Sequence, residues 1–313
     1  MSGVSRRHLL GGTGALAGVA AVSGASNTRA AASGHDAFTF VFMTDTHLQP
    51  ELDGLKGCQM AFRAISNEKA DFVVQGGDHV FDALGVSKER ANKLIDLYEM
   101  TEQVIGKKIY HTIGNHDCFG VYPQSGASLS DPEFGKNYFR RKYGQTYYSF
   151  EHKGVHFIVL DSIGLTDDRK YEGRYDAAQL AWLKITLAAL PAGAPIIVVT
   201  HIPMVTAFGT YTDLDHTKLR PSALCTVNTR EILALLHGHN ILAVLQGHTH
   251  VLERVDLNGV PYITGGAVCG NWWHGEHLGT PEGYMVVHVE NNVVRTEYRT
   301  YGFQTVSPNI TTF

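Results

Sequence analysis

The sequence has no excess of positive charge, few cysteines and no apolar run of membrane length. Its 26 Lys and Arg face 30 Asp and Glu. They form no basic cluster, so the chain is a poor match to a nucleic-acid polymer, whose backbone is held by concentrated Lys and Arg. The 313 residues include only four cysteines, Cys58, Cys118, Cys225 and Cys269. None sits in a C-x-x-C pair, which argues against a thiolate zinc site, and no disulfide framework is expected. The run from Leu9 to Val22 is rich in Gly and Ala. It is too short and too weakly apolar for a stable membrane span. Internal repeats are absent, and so is any linker after the first 32 residues.

What is present begins with an export signal. Ser5-Arg6-Arg7-His8-Leu9-Leu10 has the form of a twin-arginine signal, and Ala30-Ala31-Ala32 after Arg29 suits a signal peptidase. The expectation is a signal peptide over 1–32, cleaved near Ala32, and a single periplasmic or extracellular domain over 33–313. A retained single-span anchor is the alternative; otherwise the membrane is met only through the export machinery. The twin-arginine route carries folded proteins, often ones that already hold a metal. Without Arg6, Arg7 and Arg29 the basic count falls to 23 against 30 acids, a net of −7. An acidic chain can still hold small phosphates where positive charge is local, and metal ions can supply that charge.

Hydrophobic patterning predicts strands at Phe38–Thr44, Asp71–Gln75 and Lys108–Thr112, alternating with helices at Gly54–Ala70 and Lys88–Ile105. This alternation predicts parallel pairing with helices outside. A hairpin follows at Thr146–Glu151 and Val155–Leu160, then a helix at Asp176–Leu190, a buried strand at Pro195–Thr200, a helix at Thr229–His237 and a buried strand at Ile241–Gln246. Two more hairpins turn on Asn258-Gly259 and Asn291-Asn292. Two mixed sheets packed face to face, with helices on both outer faces, account for the pattern. Cys118–Gly144, Ile202–Asn228 and Gly265–Pro281 show little regular pattern, and long loops of this kind are commonly functional.

Five clusters of metal-ligand residue types each stand just past the end of an apolar strand: Asp45-Thr46-His47, Gly77-Asp78, Gly114-Asn115-His116-Asp117, His201, and Gly247-His248-Thr249-His250. The C-terminal strand edge is where α/β sheets place their sites. Any one cluster is weak, since a lone His after a strand is commonly structural. Their ordered conjunction is the signal.

The set resembles the calcineurin-like metallophosphoesterase family, whose pattern is D-x-H, G-D, G-N-H-D/E, H and G-H-x-H in this order. All five motifs are present without substitution between Asp45 and His250. The resemblance implies a four-layer α/β/β/α sandwich and a centre of two divalent or mixed-valence ions. Asp45, His47, Asp78 and His250 would hold one ion; Asp78, Asn115, His201 and His248 would hold the other, with Asp78 bridging. Carboxylate, imidazole and amide donors suit Fe, Mn, Zn or Co rather than copper(I). Two divalent ions against Asp45, Asp78 and one hydroxide leave a net of about +1, and a neutral Asn115 preserves it. By the same resemblance, His116 is no ligand but protonates the leaving oxygen while hydroxide attacks, with Asp117 holding its other ring nitrogen. Phosphate binding alone is the simpler role for His116.

The purple acid phosphatase branch has Tyr three positions after the bridging Asp and lacks the His of the first motif. Here Phe81 and His47 occupy those positions. The expected activity is hydrolysis of small phosphate esters, diesters somewhat ahead of monoesters, such as cyclic nucleotides or glycerophosphodiesters. A general phosphatase is the alternative, and a non-catalytic phosphate or nucleotide binder is the rival from another class. His237 and His239 read as helix-end residues, and His152, His156 and His288 as structural ones. The adjacent Trp272 and Trp273 cannot both face the core of a regular strand; they are candidates for the substrate wall, with packing as the other role.

Overall fold

The computed structural model describes residues 36–212 and 221–311. The signal expected over 1–32 lies outside these residues. Among the described residues, no helix is long and apolar enough to cross a membrane. The first elements are β1 (Phe38–Met43), α1 (Gly54–Ser66), β2 (Val73–Gln75), α2 (Lys88–Glu102), β3 (Ile109–His111) and α3 (Asn137–Tyr143). The middle carries β4 (Tyr148–His152), β5 (Val155–Val159), β6 (Ile163–Leu165), β7 (Tyr171–Gly173), α4 (Ala177–Ala189) and β8 (Pro195–Val199). The last part holds α5 (Phe208–Tyr211), α6 (Pro221–Leu224), α7 (Thr229–Leu236), β9 (Asn240–Gln246), β10 (Glu253–Leu257), β11 (Val260–Thr264), β12 (Gly283–Glu290) and β13 (Val293–Thr300).

One sheet has the order β13-β12-β1-β2-β3 and the other β10-β11-β9-β8-β5-β4. β1, β2 and β3 run parallel, as do β5, β8, β9 and β11; the remaining pairings within the two sheets are antiparallel. Alternation along each strand sorts side chains to two cores. Phe40 and Phe42 meet Phe157, Val159, Ile197 and Val199 between the sheets. Val41 and Met43 point the other way, onto Phe62 and Ile65 of α1 and Leu94 and Tyr98 of α2. Ile158 and Val198 of the second sheet pack on Leu183 and Leu187 of α4 and Ile232 of α7. The result is the α/β/β/α sandwich. Strands covered on both faces read as unbroken apolar runs, and each fully buried large apolar side chain contributes about 1.5–3 kcal/mol.

The turns follow their chemistry: Asn258, Gly259, Asn291 and Asn292 all take positive φ, as tight hairpin turns require. Asp176 accepts the Gln179 N–H at 2.7 Å and caps α4. Several short elements were not expected, among them α5 and α6 inside the stretch 202–228. α3 lies inside the stretch 118–144; it is seven residues long, with only Tyr138 and Phe139 buried. The β6–β7 hairpin has three residues per strand, too few for alternation to register. Cys58, Cys118 and Cys269 are buried and in no disulfide.

Candidate metal centre

The parallel strands bring the predicted clusters to one place. β1, β2 and β3 carry Asp45, His47, Asp78 and Asn115 on the loops after them, and β8 and β9 deliver His201, His248 and His250 from the second sheet. Backbone bonds continue past the strands and fix these loops: Asp45 N–H to Gly77 O at 3.0 Å, His47 N–H to Asp78 O at 3.1 Å, and Gly247 N–H to His201 O at 2.9 Å. The two sheets join where His248 N–H donates to the Asp45 carboxylate at 2.9 and 3.1 Å. Asp78 Oδ2 stands 3.1 Å from His201 Nε2 and 3.4 Å from His47 Nε2, so it faces donors from both sheets. Asp45 Oδ1 lies 3.4 Å from His250 Nε2. Gly114 permits this closeness, since a Cβ there would sit 2.1 Å from Asp78 Oδ1.

Each imidazole is oriented by a backbone carbonyl. His201 donates Nδ1–H to Gly76 O at 2.9 Å, His250 donates Nδ1–H to Gly270 O at 2.7 Å, and His248 donates Nε2–H to Ala223 O at 2.7 Å. His47 Nδ1 faces Phe81 O at 3.4 Å. The other nitrogen of each ring is left as a lone-pair donor, the usual orientation of metal-binding histidine. His47 Nε2 and His250 Nε2 then face each other at 3.2 Å. His201 Nε2 and both amide atoms of Asn115 are buried without a hydrogen-bond partner. Buried polar atoms are nearly always paired, so these lone pairs and the orphaned amide fit a cation. The His and Asp donors group as sets within reach of one ion, among them Asp78, His201 and His248.

The electrostatics agree. Burial alone would raise Asp45, but His201 and His250 outweigh it and hold the carboxyl well below the usual range. Asp78 is lowered in the same way, by His201 and His116 against burial. The reciprocal effect lifts His201 to about 9 against its own burial, while burial and His201 push His248 down to about 4. Two buried carboxylates thus demand positive charge, from protons or from metal. The backbone is also strained. Asp45 (φ 54°), His47 (38°), Asp78 (56°), His248 (75°) and His250 (59°) all hold positive φ, at about 1–3 kcal/mol each.

His116 is placed by its N–H, which donates to Asp78 Oδ1 at 2.8 Å. Its ring is 4.8 Å from that of His47 and 21 % exposed, so it borders the centre. The expected pairing with Asp117 is not found. Asp117 accepts from Asp78 N at 3.0 Å, His79 N at 2.9 Å, Gly114 N at 2.9 Å and His79 Nδ1 at 2.9 Å. Those four donors saturate the carboxylate and turn it away from its neighbour. The carboxylate that faces His116 Nδ1 is Asp82, at 3.5 Å. Burial pulls His116 down, but Asp78 and Asp82 outweigh it and raise its pKa. Sequence reading missed Asp82; its spacing four positions after Asp78 was the available signal.

The two tryptophans divide. Trp272 is half-buried, its ring 4.0 Å from His47 and 5.1 Å from both His116 and His250. Trp273 is fully buried in the core, donates Nε1–H to His47 O at 2.9 Å, and lies so close to α1 that a Cβ on Gly57 would be 2.1 Å from it. Only Trp272 can wall a substrate site. Three histidines expected to be structural or helix-ending are so placed: His152 Nε2 meets Asp71 at 2.8 Å, His288 Nδ1 meets Thr39 Oγ1 at 3.0 Å, and His237 closes α7.

A sequence profile described as calcineurin-like phosphoesterase matches residues 38–252, a span that holds all seven candidate ligands. The chain belongs to the calcineurin-like phosphoesterase family. No curated protein matches the sequence significantly. Among solved structures, the chain is similar to a dimetal phosphatase from Danio rerio, at 16% identity and TM-score 0.56, over 83% of this chain and 98% of that one. A purple acid phosphatase from yellow lupin (Lupinus luteus) seeds matches at 14% identity and TM-score 0.54, over 89% and 54%. GAP50, the anchor in the inner membrane complex of Plasmodium, matches at 17% identity and TM-score 0.53, over 88% and 89%. At these identities the likenesses establish the family's fold, and chemistry has to be argued from the centre itself.

Proposed function

We propose that the protein is an exported phosphoesterase that holds two divalent metal ions and hydrolyses small phosphate esters, diesters ahead of monoesters. The carrying observation is the convergence of Asp45, Asp78, four carbonyl-oriented imidazoles and a partnerless Asn115 on one buried point. Asp45, His47 and His250 would hold one ion and Asn115, His201 and His248 the other, with Asp78 shared. When bound, such ions draw charge from the phosphoryl oxygens and acidify water towards neutral pH. The chain's own residues do the rest. The Gly76, Ala223, Gly270 and Phe81 carbonyls keep the rings in place. His116, with Asp82 at Nδ1, is free to pass a proton from Nε2 to the leaving oxygen. Trp272 and Phe81, 5.7 Å apart, screen that side from water.

The diester preference rests on aromatic walls at both arms of the centre. Trp272 stands by His47 and His250, while Tyr171 meets the His248 ring edge-on at 6.3 Å. A diester carries two organic groups to cover, a monoester one. The deciding assay loads the protein with Mn²⁺ and compares 4-nitrophenyl phosphate with bis(4-nitrophenyl) phosphate, Asn115→Ala serving as control. Faster release from the diester is expected. No release from either ester would overturn the enzyme reading in favour of a phosphate binder.

A further inference from the structure

A cavity of about 450 Å³ lies beside the centre, lined by Tyr122, Pro123, Gln124, Tyr171 and Ala223 together with the turn 168–170. Its volume falls within the range of about 300–1,000 Å³ typical of small-ligand pockets. Two contacts tie it to the His248 arm: Ala223 O accepts the His248 Nε2–H at 2.7 Å, and the Tyr171 ring meets that of His248. Two others tie it to the His116 arm. Tyr122 N–H donates to Leu84 O at 2.8 Å, and Asp82, which faces His116 Nδ1, accepts Leu84 N–H at 2.7 Å. Residues that line the cavity are therefore joined to both arms of the centre.

We propose that this cavity receives one organic group of the ester, and that Tyr122 and Tyr171 select a planar, uncharged ring there. The proposal rests on the phosphoesterase reading for the placement of the phosphate, and the cavity's chemistry sets the class of the group. The cations at its rim are already engaged. Lys170 pairs with Asp168. Arg169 donates to the carbonyls of Gly120 at 2.7 Å, Val121 at 3.1 Å and Ala127 at 3.2 Å. A second phosphate would have to compete with these bonds for either cation. Two phenol rings and a proline offer apolar faces, and the exposed Gln124 amide can both donate and accept. Arg169 also pins the β6–β7 turn to the loop that carries Tyr122, so the two rings are held before any ligand arrives. Rings preset in this way bind without the cost of ordering them.

The test is calorimetric binding of phenylphosphonate and methylphosphonate to the full-length, Mn²⁺-loaded protein. Neither compound is turned over, so the result does not depend on hydrolysis. Ring stacking on aromatic side chains corresponds to roughly 5- to 100-fold in affinity. The wild type should favour the phenyl compound by at least about fivefold on that scale. Tyr122→Ala and Tyr171→Ala should each cut the ratio of the two constants several-fold, while Tyr171→Phe keeps it. Equal binding of the two compounds by the wild type would overturn the proposal, as would a wild-type ratio in Tyr122→Ala, a loop position whose replacement spares the sheets. The cavity and phosphoesterase readings fail separately. A phenyl preference lost in the variants, without ester hydrolysis, removes the enzyme and keeps the cavity. Hydrolysis without a phenyl preference does the reverse.

Discussion

The front of the centre and the clamp behind it are built from one short turn, yet they treat buried polar atoms in opposite ways. At the front, Asn115 is fully buried and both amide atoms lack a partner, as does His201 Nε2. Two residues on, Asp117 is equally inaccessible and accepts four hydrogen bonds. Those bonds tie the loop after β2 to the loop after β3. His79, one of the donors, is itself held by His111 at 3.0 Å and stacks on Tyr143. Within this turn burial does not separate the two roles; the partner count does. In the turn 115–117 the group left waiting faces the centre, and the saturated one holds the loops together.

The comparison yields variants that should fail in different ways. His116 holds Asp78 through its backbone N–H, which alanine keeps, so His116→Ala should keep both metals and lose about 10²- to 10⁴-fold in turnover, the range for general acid catalysis. Elemental analysis beside a rate assay checks it, and near-normal turnover on an ester with a poor leaving group would remove the acid role. Asn115→Ala should cost at least about 100-fold in turnover and lower metal content, while the metal-free protein melts within a degree of wild type or above it. A marked drop in that melting temperature would mean that Asn115 is scaffold after all. Asp117→Asn should show the opposite signature. Replacing a saturated buried acceptor with an amide leaves donors unpaired, at about 2–4 kcal/mol, or roughly 4–16 °C in a domain of this size.

Glu102 bounds the comparison, because its Oε2 is buried without a partner yet lies on α2, away from the centre. Burial lifts its pKa to about 7, with Glu99 adding to the rise and His79 opposing it. A carboxyl raised on folding favours its neutral form. The stability it contributes is therefore present at low pH and lost as pH climbs from about 4.5 through 7. Glu102→Gln, neutral at every pH, should raise the melting temperature by a few degrees at pH 8, with the gain shrinking towards pH 5. A gain independent of pH would show that charge burial is not the cause.

Much of this was legible in the residues. Asp45, His47, Asp78, Asn115, His201, His248 and His250 could be read as one site because each follows an apolar run long enough to be a strand, and parallel strands end together. The Asn-Gly and Asn-Asn turns were readable because positive φ favours those residues. The clamp was not readable. Asp117 adjoins His116 in sequence, and adjacency suggested a partnership that the turn geometry denies. Trp272 and Trp273 presented the same difficulty, since both hold positive φ (52° and 71°) and no periodicity tells which ring turns inward.

The sequence by itself determined the sandwich, the acidic balance and the meeting of seven candidate ligand residues at one strand edge, because strand patterning and motif spacing are local properties. Only the tertiary structure decided that Asp82 rather than Asp117 faces His116, that one tryptophan stands by the site while the other fills the core, and that a cavity with engaged rim cations lies beside His248. Those outcomes depend on which loops touch once the two sheets pack, and contacts between residues distant along the chain leave no period in it.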